Sequence, residues 1–109
     1  MDGADGGIAS LVMDSSGIAL DSYSKDDAPF DINMIGIEFS VVVNSIRRAT
    51  EMLEAGDARE VSVGTEKMTT IIRMLSETYF LTLTIAPDGN LGKARFLMRT
   101  AAPKLLADL

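Results

Sequence analysis

Any chemistry in this chain must come from carboxylates, hydroxyls, lysine and arginine, because its 109 residues include neither cysteine nor histidine. A disulfide, the usual Cys/His zinc site, a thiolate nucleophile and an imidazole base are all removed at once. Asp14, Ser16 and Asp21 are near one another in sequence. However, no residue around them activates the hydroxyl or sets the two carboxyls at different acidities, so general acid–base work is not supported. Asp14-Ser15-Ser16-Gly17 begins like an acidic metal loop. Without further carboxylates at calcium-loop spacing it reads as the tip of a hairpin. Lys93, Arg95, Arg99 and Lys104 cluster near the C-terminus, where a solvated helix face accounts for them better than an anion site. The sequence therefore predicts no enzyme, no metal and no cofactor, and points to binding as the activity.

The elements that would position a binding surface are organised around Phe30–Ala55. Ile35, Phe39, Val42, Ile46, Ala49 and Leu53 recur at spacings of four and three, the pattern of one helix face turned to a core. Asn33, Ser40, Asn44, Arg47 and Glu51 gather on the opposite side, which the pattern assigns to water. Between them Phe30, Met34, Ile37, Val41 and Met52 form a second apolar stripe, wider than one sheet covers. Either the chain's own fold or a partner must shield it.

Before this helix, Ile8–Asp14 and Gly17–Tyr23 flank the DSSG turn as a hairpin, with Gly17 supplying a positive φ. Pro29 or Asp31 opens the helix, and Gly56 is placed to cap its end. Three strands follow. Arg59–Thr65 alternates apolar and polar residues and carries charge, as an edge strand does. Lys67–Leu75 and Thr78–Pro87 come next, the last covered on both faces and so central. Asn90 caps a final helix over Leu91–Leu109, whose inward residues are Leu91, Ala94, Met98, Ala101 or Ala102, Leu105 and Leu109; Pro103 predicts a bend or an early end. The order is ββαβββα: an α+β fold with one antiparallel sheet of five strands between helices.

At this length one domain is expected, over residues 8–109, with 1–7 as a flexible lead. The 47% hydrophobic and 24% charged residues are those of a globular protein, and a formal charge of −6 opposes nonspecific attraction to nucleic acid. The DGADGG start has no signal-peptide pattern, and no apolar run reaches the roughly 20 residues that span a bilayer, so a cytoplasmic protein is expected.

Three stretches carry a family resemblance: SLVMDSSGIALDSY (Ser10–Tyr23), the long middle helix, and NLGKARFLMRTAAPKLLADL (Asn90–Leu109). Together they resemble the Roadblock/dynein light chain family, profilin-like domains that include bacterial MglB-type regulators of Ras-like GTPases. The resemblance implies sheet order 2-1-5-4-3 with the third strand at an edge, where two protomers pair through Glu60, Val61, Ser62 and Val63 and set their long helices side by side. Phe30, Met34, Ile37, Val41 and Met52 would then meet the partner. In the third stretch Leu91-Gly92 ahead of Arg95 matches the family's strand-to-helix pattern, with Gly92 letting the helix approach the sheet. Many members carry a helix before the first strand; here that helix is not expected, which leaves a strip of sheet for a further protomer or another protein.

The function implied is a non-enzymatic, homodimeric regulator or effector of a Ras-like GTPase, with Asn33, Ser40, Asn44, Arg47 and Arg48 facing it. An arginine finger is the alternative mechanism. Arg47, Arg48, Arg59 and Arg73 are the arginines available to it, each on an expected helix or strand. The other function class is a dimeric scaffold, a light-chain-like adaptor that recruits peptides or larger assemblies without acting on nucleotide.

Overall fold

A computed structural model describes residues 7–24 and 31–107, apart from the side chains of residues 7, 8, 21, 24 and 32. The chain runs β1 (Gly7–Asp14), β2 (Ala19–Ser24), α1 (Ile32–Met52), β3 (Glu60–Gly64), β4 (Thr69–Met74), β5 (Tyr79–Ile85) and α2 (Leu91–Ala107). The five strands form one sheet, ordered β2-β1-β5-β4-β3, and every neighbouring pair is antiparallel. This is the α+β element order expected from the sequence and the sheet order that the family resemblance implies, with β3 at an edge.

Turn chemistry fixes the first hairpin. Asp14 Oδ1 accepts from the amides of Ser16 at 2.9 Å and Ile18 at 3.0 Å, and Gly17 adopts φ +88°. A side chain that satisfies the turn's own amides is doing the work of an Asx turn. Between Val12 and Met13 the β1–β2 register shifts by a bulge.

The two helices cover opposite faces of the sheet. Under α1 lie Ala9, Leu11 and Met13 of β1, Ile72 of β4 and Phe80 of β5, all buried, with Val61 of β3 packed beside them. Val12, Ile71, Leu81, Leu83 and Ile85 point the other way and meet Ala94 and Met98 of α2. Alternation along β5 thus feeds two cores at once, as a central strand must. On the α1 side, buried Thr70 and Thr84 pair across strands through their hydroxyls at 3.3 Å.

The seat of α1 depends on Gly36. A Cβ there would lie 2.3 Å from Leu11 Cδ2 and 2.6 Å from Met13 Cε, so only glycine lets the helix rest this low on β1. Gly92 has no such role: it is exposed, and a Cβ on it would meet no atom of the sheet. The close approach expected at Gly92 is instead made by Ala94, which is fully buried.

The start of α1 follows one of its two expectations, and its end does not. Asp31 caps α1, its carboxylate accepting from Asn33 N at 3.0 Å; Pro29 lies outside the described residues. At the other end Ala55 N donates to Thr50 O and Glu54 N to Glu51 O, the paired bonds of a Schellman motif, with Glu54 at φ 54° in the left-handed position. Gly56 comes two residues too late to serve. Because a left-handed conformation costs a side-chain-bearing residue roughly 1–2 kcal/mol and glycine's extra unfolded freedom recovers only part of that, Glu54→Gly is expected to stabilise the fold by about 0.5–1 kcal/mol. Thermal unfolding at fixed protein concentration measures it; an unchanged or lower Tm would refute the assignment.

Asn90 caps α2 as expected, accepting from Lys93 N at 2.9 Å. The helix does not stop at Pro103 but continues to Ala107. Among the described residues no helix is long and apolar enough to cross a membrane.

Candidate functional site

The face of α1 turned to the sheet is rotated from the one its apolar spacing suggests. Gly36, Ser40 and Val43 are buried, and Asn44, Arg47 and Thr50 are partly buried behind them. Val42, Ala49 and Leu53, expected inside, are exposed, Leu53 at 76%. The polar residues face inward because each finds a backbone partner. Ser40 Oγ donates to Ile37 O at 2.7 Å, and Asn44 Nδ2 donates to Ser15 O in the β1–β2 turn at 3.1 Å. The Arg47 guanidinium donates to Glu77 O at 2.6 Å and Ser76 O at 2.9 Å in the β4–β5 turn. Hydrophobic periodicity cannot register the bonds of Asn44 and Arg47, since their acceptors lie 29 or 30 residues away in sequence.

Of the five residues expected to face a GTPase, therefore, Ser40, Asn44 and Arg47 are engaged by the fold itself, while Asn33 and Arg48 are exposed. Glu51, expected on the same wet side, is exposed as well. Among the other arginines, Arg73 is half-buried on β4 and Arg59 is exposed. Arg59 lies in the connector before β3 rather than within the strand. Its carbonyl is held by Met74 N at 3.0 Å.

The second apolar stripe is bare in the single chain: Met34, Ile37 and Val41 are 63%, 54% and 65% exposed, and Met52 79%. Phe30 lies outside the described residues. Ile37 leans toward the first hairpin, its Cγ1 3.9 Å from the Cβ position of Gly17; Ile18 and Leu20 of that hairpin are exposed. Phe39, about 200° further round the helix, joins the core cluster that Val61, Met68 and Met74 of the β3–β4 hairpin also border. So α1 has two apolar flanks. One looks over β1–β2 and carries Ile37 and Val41; the other looks over β3–β4, with Val42 and Leu53 on its outer side.

The β3 edge can be read bond by bond. Thr65 N donates to Met68 O, and Met74 N to Arg59 O. In the antiparallel register that pairs Val61 with Ile72 and Val63 with Thr70, Arg59, Val61, Val63 and Thr65 therefore turn their backbone groups to β4. Glu60, Ser62 and Gly64 turn theirs outward, away from the sheet. On the α2 side Arg95 steadies this strand, with Nε 3.1 Å from Glu60 Oε2 and Nη2 3.4 Å from Ser62 Oγ. Of the four basic residues of α2, Arg95 is thus committed to β3, while Lys93, Arg99 and Lys104 are exposed. The four do not converge on an anion.

Among solved structures the chain is similar to MglC from Myxococcus xanthus at 39% identity, over 99% of this chain and 91% of that one, with a TM-score of 0.69. It is similar in fold to an MglB with tetrameric arrangement at 19% identity, over 94% of this chain and 77% of that one, with a TM-score of 0.83. A Roadblock/LC7 domain from Streptomyces avermitilis shares the fold at 14% identity, over 94% and 88% of the two chains, with a TM-score of 0.75. Neither a protein-family model nor a curated protein sequence matches the chain.

Proposed function

The chain belongs to the Roadblock/MglB-like family, and from that premise we propose that it is a homodimeric, non-enzymatic module acting in the signalling of a Ras-like GTPase. The observation that carries the dimer is the β3 edge, where Glu60, Ser62 and Gly64 present unpaired backbone groups outward. A bare edge with Val61 and Val63 behind it is a template for a second strand, and its own copy satisfies it symmetrically. The exposed flank that continues this edge on α1 is the one bearing Val42 and Leu53. The stripe of Met34, Ile37 and Val41, which the resemblance sets against the second protomer, lies on the other flank of α1, and we assign it instead to the GTPase, with Asn33 and Arg48 adding polar contacts.

One specific observation stands against an arginine finger. Arg47, the arginine most centrally placed on α1, spends its guanidinium on two carbonyls of its own chain. A group so held is unsuited to enter a nucleotide pocket, so the module acts by holding its partner rather than by donating a finger.

Sedimentation equilibrium tests the dimer. The parent is expected at twice the 11.7 kDa chain mass. Ser62→Pro deletes an outward donor without touching the β4 ladder, so it should weaken association tenfold or more while the monomer stays folded. A monomeric parent, or a Ser62→Pro dimer of undiminished affinity, would sink the seam. Pull-down of Ras-like GTPases loaded with GTP or GDP tests the partner. Capture that Ile37→Glu abolishes supports the flank, and no capture in either nucleotide state leaves the adaptor.

A further inference from the structure

The charge of this protein is not evenly spread. Lys93, Arg95, Arg99 and Lys104 put four of its ten cations on α2, which has no acid along Leu91–Ala107; the other six cations share the rest of the chain with all sixteen acids. The helix is basic on an otherwise strongly acidic molecule.

Its outer face is also ordered. Gly92, Phe96, Arg99, Pro103 and Leu106 follow one another at spacings of four, three, four and three, and all five are exposed. That is the seam spacing of a helix meeting another helix, here over about 21 Å of axis. Phe96 is 61% exposed, and Leu106 is exposed at the far end. The opposite side of α2 is already used, with Ala94 and Met98 buried in the sheet core. The stripe thus has an aromatic anchor, an aliphatic one, and a cation between them.

We propose that this face of α2 docks an acidic amphipathic helix of another protein, with Phe96 seated among its apolar residues and Arg99 paired to a carboxylate. The position of Arg99 decides against a second copy of this chain. It lies midway along the stripe, so parallel and antiparallel pairing of two α2 helices both set Arg99 against Arg99 in the seam, where unpaired like charges are costly. An acidic partner removes that conflict and gains from the local cationic field. An anionic lipid surface is disfavoured, because a bilayer, far wider than one helix, would also repel the acids on the rest of the molecule.

The probe is a labelled synthetic helix of leucines at the same four-three spacing with glutamate elsewhere, and a twin carrying lysine for glutamate. Anisotropy titrations use the full chain at physiological salt. The acidic peptide should bind, at least tenfold more weakly to Phe96→Ala and to Arg99→Glu, and more weakly as salt rises. Arg99→Glu should in turn prefer the basic twin. Both residues are exposed, so circular dichroism of the variants should match the parent, and Ser62→Pro should bind the acidic peptide undiminished, which separates this face from the β3 edge. Equal binding of the two peptides, or no loss in Phe96→Ala, overturns the proposal. So does binding to phosphatidylserine vesicles in place of the acidic peptide, or a concentration-dependent rise in mass that Phe96→Ala abolishes.

Discussion

Gly36→Leu should cost about 3 kcal/mol or more and lower Tm by 10 °C or more. The helix sits so low on β1 that even a Cβ would press into Leu11 and Met13, both buried. Overpacking a filled core costs typically 1–3 kcal/mol, and a whole leucine must push α1 off the sheet. Alanine is the sharper control. It gains about 1 kcal/mol in helix propensity and loses 1–3 to the clash, so Gly36→Ala should be destabilising by only about 1 kcal/mol. At roughly 4 °C per kcal/mol for a domain of this size, calorimetry at one protein concentration resolves both. A Gly36→Leu protein with the parent's Tm would mean that α1 rides higher than described.

Arg47→Ala should lower stability by about 2 kcal/mol, because charge-assisted hydrogen bonds contribute about 1.5–3 kcal/mol and two backbone carbonyls would lose their donor. Ser76 and Glu77 lie in the turn that joins β4 to β5, so the guanidinium bolts the end of α1 to that hairpin. Stability and rate separate the roles. If Arg47 were a finger, its removal would leave Tm unchanged and cut the maximal rate of GTP hydrolysis by roughly 10³–10⁵-fold at saturating protein. The structural role predicts the reverse: a fall in Tm near 8 °C by the same scaling, with the maximal rate of any stimulated GTPase altered less than tenfold.

These residues also mark where the sequence could be read and where it could not. The hairpins and the edge character of β3 follow from local signals: Asp14 and Gly17 in a turn, alternation and charge in Arg59–Thr65, alternation in Tyr79–Ile85, Asn90 before an apolar period; the sheet order comes only from the family resemblance. The facing of α1 does not. Ser40, Asn44 and Arg47 are polar by type, yet Asn44 and Arg47 are drawn inward by carbonyls of the two turns at Ser15 and Ser76–Glu77, acceptors that exist only once the sheet has formed. Val42 and Leu53 are apolar by type and still face out, as residues reserved for a second surface do. Gly36 did leave a trace, a glycine inside an otherwise apolar helical run, which is what a close approach looks like before its neighbour is known. Gly92, whose close approach only the family resemblance implies, meant less, because a position next to a capped helix start tolerates glycine without any contact to enforce it.

The shift of register between Val12 and Met13 bears on stoichiometry. A sheet has two ends, and a chain that could add a neighbour at both would grow as a filament rather than stop at a pair. A bulge raises the local twist of the ribbon that carries it, so a second sheet meeting β2 would have to match that distortion. The β3–β4 ladder carries no such shift, which favours the proposed pairing at that end. Straightening the β1–β2 ribbon by deleting one residue at the shift should therefore endanger solubility before it endangers the fold, turning the proposed pair into a particle with no natural size.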